Sequence, residues 1–131
     1  MLKSLNLAAV SVGLLVLTTA CFSSDPSQEI SATSKMALAS HLKQIDAKFY
    51  GAYWCSYCKK QKELFGQEAF RQIDYVECDP AGKDARPELC QKAHIEGFPT
   101  WEIKGQLYPG MQSLQQLADI SGYKDDRDLK K

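Results

Sequence analysis

Two runs of opposite periodicity meet at Cys55, and that junction limits what the chain can fold into. The segment "AKFYGAYW", residues 47–54, is aromatic-rich and short, as a half-buried strand requires. The segment "SYCKKQKELF", residues 56–65, is polar and helix-prone and runs up to Gly66, a residue that breaks or stops helices. Cys55 therefore stands where strand gives way to helix, and Cys58 follows one turn later. At a helix N-terminus the unpaired N–H groups and the helix dipole favour an anion, so this is a position that promotes a thiolate.

The chain has five cysteines, and Cys21 lies far from the rest, which leaves Cys55, Cys58, Cys78 and Cys90. A c-type haem site would need His directly after the second cysteine, and position 59 is Lys. A zinc ribbon would need a second close pair, whereas eleven residues separate Cys78 from Cys90. Zinc stays an alternative reading; no metal and no cofactor is expected. A purely structural Cys55–Cys58 bridge would close too small a loop to constrain the unfolded chain much. Disulfide exchange fits the placement best, with Cys55 the attacking thiolate and Cys58 the resolving thiol.

Around this junction strands and helices alternate. Met36 to Ile45 reads as a helix, with Leu38, Leu42 and Ile45 recurring at helical spacing. "IDYVECD" reads as a strand and "RPELCQKAH" as a short helix with Pro87 in its first turn. "PTWEIKGQLYPG" reads as a hairpin turning at Lys104-Gly105, and "SLQQLADISGY" as a helix capped by Ser113 and stopped by Gly122. The order implies an α/β fold, a small central mixed sheet flanked by helices, within one domain spanning residues 35–123.

The two ends read differently. "MLKSLNLAAVSVGLLVLTTAC" has an early Lys3, an apolar run to Ala20 and small residues before Cys21, the layout of a signal peptide over residues 1–20. "LTTAC" resembles a lipobox, with Thr18 where Leu is usual, so Cys21 is expected to be lipidated. Ordinary cleavage after Ala20, leaving a spare thiol, is the alternative. Residues 21–34 read as a flexible tether and 124–131 as a charged tail. The expected location is the extracytoplasmic face of a bacterial membrane (periplasm or lumen), where disulfides persist. With 16 basic and 16 acidic residues there is no basic surplus to suggest a nucleic-acid partner.

"YWCSYCKK" resembles the active site of the thioredoxin superfamily, and "GFPT", with Pro99 lying 44 residues after Cys55, resembles its cis-proline loop. The resemblance implies a thioredoxin-like fold and a substrate-binding loop formed by Trp54, Phe98, Pro99 and Thr100, with the Phe98 backbone offered to an extended substrate. A nearer resemblance is to the thioredoxin-like domain attached to bacterial and plant homologues of vitamin K epoxide reductase. "FYGAYWCSYCKKQKELFG", "YVECD", "ELCQKAHIEGFPTWEIKGQLYPG" and "LADISGY" all resemble that domain. It implies a thiol–disulfide oxidoreductase acting on exported protein thiols and disulfides, passing electrons to a quinone-linked membrane partner of the vitamin K epoxide reductase type. Alternatives are a dedicated extracytoplasmic reductant, for instance one serving cytochrome maturation, and a non-catalytic lipoprotein with structural or metal-binding cysteines.

The chain departs from thioredoxins at two points. Phe49 stands six residues before Cys55, where those proteins place a buried Asp, so that carboxylate is missing. Ser56-Tyr57 between the cysteines supplies no cation. Cys78, at the end of "DYVEC", and Cys90, in the next helix, are expected to form a structural disulfide, with a second redox relay as the alternative. His41 and His94 are expected to have no catalytic role. Tyr50, Tyr53, Trp101 and Tyr108 read as sheet and core packing, and Lys59, Lys60 and Lys62 as a solvated helix face, with a rise in positive potential near the thiolate as the alternative.

Overall fold

The computed structural model describes residues 30–125. The signal segment, Cys21, most of the tether and the end of the charged tail lie outside the described residues. In chain order the elements are α1 (Ala32–Gln44), β1 (Lys48–Gly51), α2 (Ser56–Phe65), α3 (Gln67–Phe70), β2 (Asp74–Glu77), α4 (Pro87–Lys92), β3 (Thr100–Ile103), β4 (Gln106–Pro109) and α5 (Leu114–Ser121). The four strands form one mixed sheet in the order β2-β1-β3-β4. β1 runs parallel to β2 and antiparallel to β3, and β3 runs antiparallel to β4. A four-stranded mixed sheet flanked by helices is consistent with a thioredoxin-like fold.

The period-two alternation of β1 divides the interior. Phe49 faces the main core, packed with Trp101, Ile103 and the buried residues of α1, α2 and α5. Tyr50 faces the other side, into a smaller cluster with Val76, Cys78 and Cys90 that α4 covers through Leu89 and Ala93. Phe49 is fully buried and surrounded by Trp101 at 4.8 Å, Phe70 at 5.7 Å and Tyr75 at 5.9 Å between ring centroids. An aromatic at this position is therefore a keystone of the core.

Local signals set the boundaries. α1 starts four residues before the expected Met36 because Ser31 caps it, its Oγ accepting from the Ser34 amide at 3.1 Å. α2 ends at Gly66, whose φ of 80° turns the chain into the short α3. The hairpin turn places Lys104 and Gly105 both at positive φ, 53° and 76°, the twist-matched two-residue connection. Ser113 and Gln116 exchange hydrogen bonds in a capping box, and Gly122 closes α5 in the left-handed region.

One buried polar side chain ties α2 to the sheet. Gln61 is fully buried, and its Oε1 accepts from the Gln112 amide at 2.8 Å and from Trp101 Nε1 at 3.3 Å. Its Nε2 donates to the Gln112 carbonyl at 3.0 Å. Replacing Gln61 by Leu leaves the buried Trp101 indole N–H and the part-buried Gln112 amide without an acceptor, which costs about 2–3 kcal/mol. Urea unfolding of Gln61→Leu is expected to show that loss, with an unchanged m-value.

Candidate active site

Cys55 is the N-cap residue of α2, and its Sγ accepts from the Cys58 amide at 3.1 Å. The two cysteines are joined as a disulfide with Cα atoms 5.2 Å apart. Cys55 retains 5% exposure against 1% for Cys58, so the first cysteine is the more accessible residue. The turn before the helix is closed by the Cys55 amide donating to the Ala52 carbonyl at 3.0 Å. A sulfur at a helix N-terminus, beside a donating amide, is stabilised as the thiolate once the bond is reduced.

Behind Cys58 stands Gly51. A Cβ at Gly51 would lie 3.0 Å from Cys58 Sγ and 3.0 Å from Tyr75 Cε2, so a side chain there would press on both. The chain leaves the sheet at Gly51, earlier than the aromatic run suggests. Tyr53 is consequently on the turn and 53% exposed, not packed in the core as its strand-like neighbours led one to expect. Trp54 and Tyr57 are 57% and 58% exposed, so an aromatic apron surrounds the disulfide.

The Phe98–Pro99 peptide bond is cis. Pro99 is buried, and its carbonyl accepts from the Gly110 amide at 2.7 Å. Thr100 Oγ1 donates to the Gly97 carbonyl at 2.8 Å. Phe98 packs against both hydrophobic clusters, and its ring meets Trp54 edge-on at 6.1 Å. Trp54, Phe98 and the Cys55–Cys58 pair thus share one surface.

Cys78 and Cys90 are joined as a second disulfide with Cα atoms 5.8 Å apart. The Cys78 amide donates to the Gly51 carbonyl at 2.9 Å, which seats this bridge one strand away from Cys58. The following residue, Asp79, reaches back to the first pair: its Oδ2 accepts from Trp54 Nε1 at 2.7 Å, and its Oδ1 from the Ala81 amide at 2.8 Å. The Ala81 amide and then the Trp54 indole hold the Asp79 carboxyl below its ordinary range.

Lys59 and Lys60 are solvated, but Lys62 is not. It is half-buried, its Nζ 3.8 Å from the centroid of the Tyr75 ring, because Gly66 and α3 bring Phe70 and β2 against that side of α2. His41 hydrogen-bonds the Ser121 carbonyl at 3.2 Å and packs on Tyr123, and His94 is exposed after α4. Sequence reasoning missed Gln61, Glu77 and Asp79. Gln61 had a signal, lying on the buried stripe Cys58–Gln61–Phe65 of α2. Asp79 had none, since its partner is 25 residues away.

No family model matches the chain. The chain is similar to thiol-disulfide oxidoreductase LTO1 of Arabidopsis thaliana, 46% identical over 105 residues. The match takes in 76% of this chain and 28% of the Arabidopsis protein, so the chain spans little more than a quarter of that relative's length.

The Trp54–Asp79 contact yields a pH prediction. Because the folded-state pKa of Asp79 lies below 3.8, the contact survives the ordinary carboxylate range and breaks only below it as pH falls. Tryptophan emission is expected to change with a midpoint below 3.8, and Asp79→Ala is expected to abolish that step.

Proposed function

We propose that this protein is a thiol–disulfide oxidoreductase that works by exchange through Cys55 and Cys58. The observation that carries the reading is the placement of Cys55 as the sulfur cap of α2, bonded to Cys58 and the more accessible of the two. The similarity to a protein named thiol-disulfide oxidoreductase supports it. In the reducing direction the Cys55 thiolate attacks a substrate disulfide, forming a mixed disulfide and expelling one substrate sulfur, which takes a proton. Cys58 then loses its proton and attacks Cys55 Sγ, expelling the second substrate sulfur. The substrate gains two electrons and two protons, and Cys55–Cys58 is left oxidised; running the steps backwards oxidises a dithiol.

The substrates in this reading are exported protein thiols, and the electron acceptor is a quinone-linked membrane protein of the vitamin K epoxide reductase type. The resemblance of "FYGAYWCSYCKKQKELFG" and the later segments to domains fused to such enzymes supports the partner. Export and lipidation at Cys21 are supported by the apolar run and "LTTAC". A tether of about a dozen residues has an end-to-end distance of about 20 Å. Confinement at that range raises the effective concentration at a membrane partner, so a weak docking surface suffices. The exposed Trp54, met edge-on by Phe98, and the loop Phe98-Pro99-Thr100 form in this reading the surface against which the substrate segment lies.

Cys58→Ala is expected to accumulate mixed disulfides through Cys55, and Cys55→Ala few, on non-reducing electrophoresis. Equal trapping by the two variants would defeat the assignment of roles. The trapped proteins identify the partner. Alkylation of the wild-type pair gives the direction, since loss of an oxidising partner leaves the pair reduced.

Cys78–Cys90 acts in this reading as a structural bridge closing the loop between β2 and α4. Its removal by Cys78→Ser with Cys90→Ser is expected to cost about 3 kcal/mol on the chain-entropy estimate. Opening of this bond by a mild reductant as readily as Cys55–Cys58 would instead make it a second relay.

A further inference from the structure

A group of ionisable side chains that the exchange steps above do not use is gathered around Tyr75, a neighbour of Cys58. Cys58 and Lys62 are four residues apart on α2 and share a helix face. Both face Tyr75: Lys62 Nζ lies 3.8 Å from its ring centroid, and Cys58 Sγ and Tyr75 Cε2 are each 3.0 Å from the point a Gly51 Cβ would occupy. Tyr75 Oη in turn donates to Glu77 Oε2 at 2.6 Å, and Glu77 Oε1 accepts from the Asp79 amide at 3.0 Å.

Glu77 is almost wholly buried, and in the sheet it is the register partner of Gly51. The loop over it is closely seated, since a Cβ at Gly82 would collide with the Glu77 side chain. The Arg86 amide donates to the Glu77 carbonyl at 2.8 Å, holding the far side of that loop. A carboxylate kept this far from water needs a compensating charge nearby. Lys62 is linked to it through Tyr75, whose ring centroid lies 3.8 Å from the Lys62 Nζ and whose Oη donates to the Glu77 carboxylate. Burial lowers the Lys62 pKa, Glu77 opposes that shift, and Lys59 adds to it. The other charged groups beside Lys62 are Glu63 on α2 and Arg71 after α3, which line the same hollow.

We propose that Lys62 and Glu77 are positioning residues that set the charge at Cys58, the Lys62 ammonium favouring its thiolate and the Glu77 carboxylate opposing it. The position that Phe49 fills with an aromatic is thereby answered from the neighbouring strand on the same face, by a pair built on α2 and β2. The step affected is resolution. Cys58 must release its proton before its electron pair forms the bond to Cys55 Sγ, while the substrate sulfur leaves with the pair of the old bond and takes a proton from solvent. The proposal rests on the dithiol reading of Cys55 and Cys58.

The test is an ultraviolet thiolate titration of Cys58 in the full chain carrying Cys55→Ser, with a Cys55→Ser, Cys58→Ser chain subtracted. Lys62→Met is expected to raise the Cys58 pKa, leaving about tenfold less thiolate at a given pH below it. Glu77→Gln is expected to shift the titration in the opposite direction. Lys62→Arg, which keeps charge and ring stacking, is expected to retain the wild-type curve and guards against a Lys62→Met chain that fails to fold. A Cys58 titration unmoved in Lys62→Met and Glu77→Gln, or moved with the same sign in both, overturns the proposal. A wild-type pair that fails to exchange with glutathione defeats the oxidoreductase reading instead, and the Cys58 titration still decides the role of Lys62 and Glu77.

Discussion

The hydrogen bond from the Cys58 amide to Cys55 Sγ is the contact on which the rest of the site depends. It makes a cysteine sulfur do what an Asp or Ser oxygen does at other helix starts, satisfying an amide that α2 leaves free. In the proposed exchange the cap is the attacking atom, so the helix field acts where negative charge would develop. Everything that aims α2 therefore aims the chemistry. The buried Gln61 network pins the helix to β3 and to the chain after β4, and Gly51 clears the space into which Cys58 fits.

The sheet separates two interiors and also joins them. Its larger face carries the aromatic core around Phe49 and Trp101, and its smaller face is closed by α4 and the Cys78–Cys90 bridge. Two side chains cross between them at the rim of the site. Phe98 packs on both clusters, and Asp79, adjacent to Cys78, holds the indole of Trp54, adjacent to Cys55. The second bridge thus closes the loop from which Asp79 reaches the aromatic apron.

Charge near the site is distributed unusually for its setting. Phe49 gives its position wholly to packing, and the buried acid appears one strand over, at Glu77, with Tyr75 between it and Lys62. The Tyr75 phenol is pushed far above its ordinary range, by burial first and by Glu77 second, so it serves as a donor and stays neutral. The arrangement is compact because Cys58 and Lys62 share a helix face, so one strand can meet both.

Much of this was legible in the residues. The α2 boundaries, the Lys104-Gly105 turn, the Ser113 and Gly122 caps and the position of Cys55 at a helix start all follow from local rules, because each depends on residues within one turn of itself. What the sequence did not disclose are the features that join distant segments. Tyr53 reads as strand but sits on a turn, because the sheet ends where β2 and β3 end, not where aromatic residues end. Lys62 reads as a solvated lysine but lies on Tyr75, because α3 folds back beneath it. Glu77 and Asp79 look like surface acids, and their environments come from Gly82 and Trp54 respectively. Local sequence determined the elements and the placement of Cys55 and Cys58 at a helix start through short-range propensity and capping. Tertiary packing alone decided which polar groups lost water and which partners they found, because desolvation belongs to the assembled layers and to no single segment.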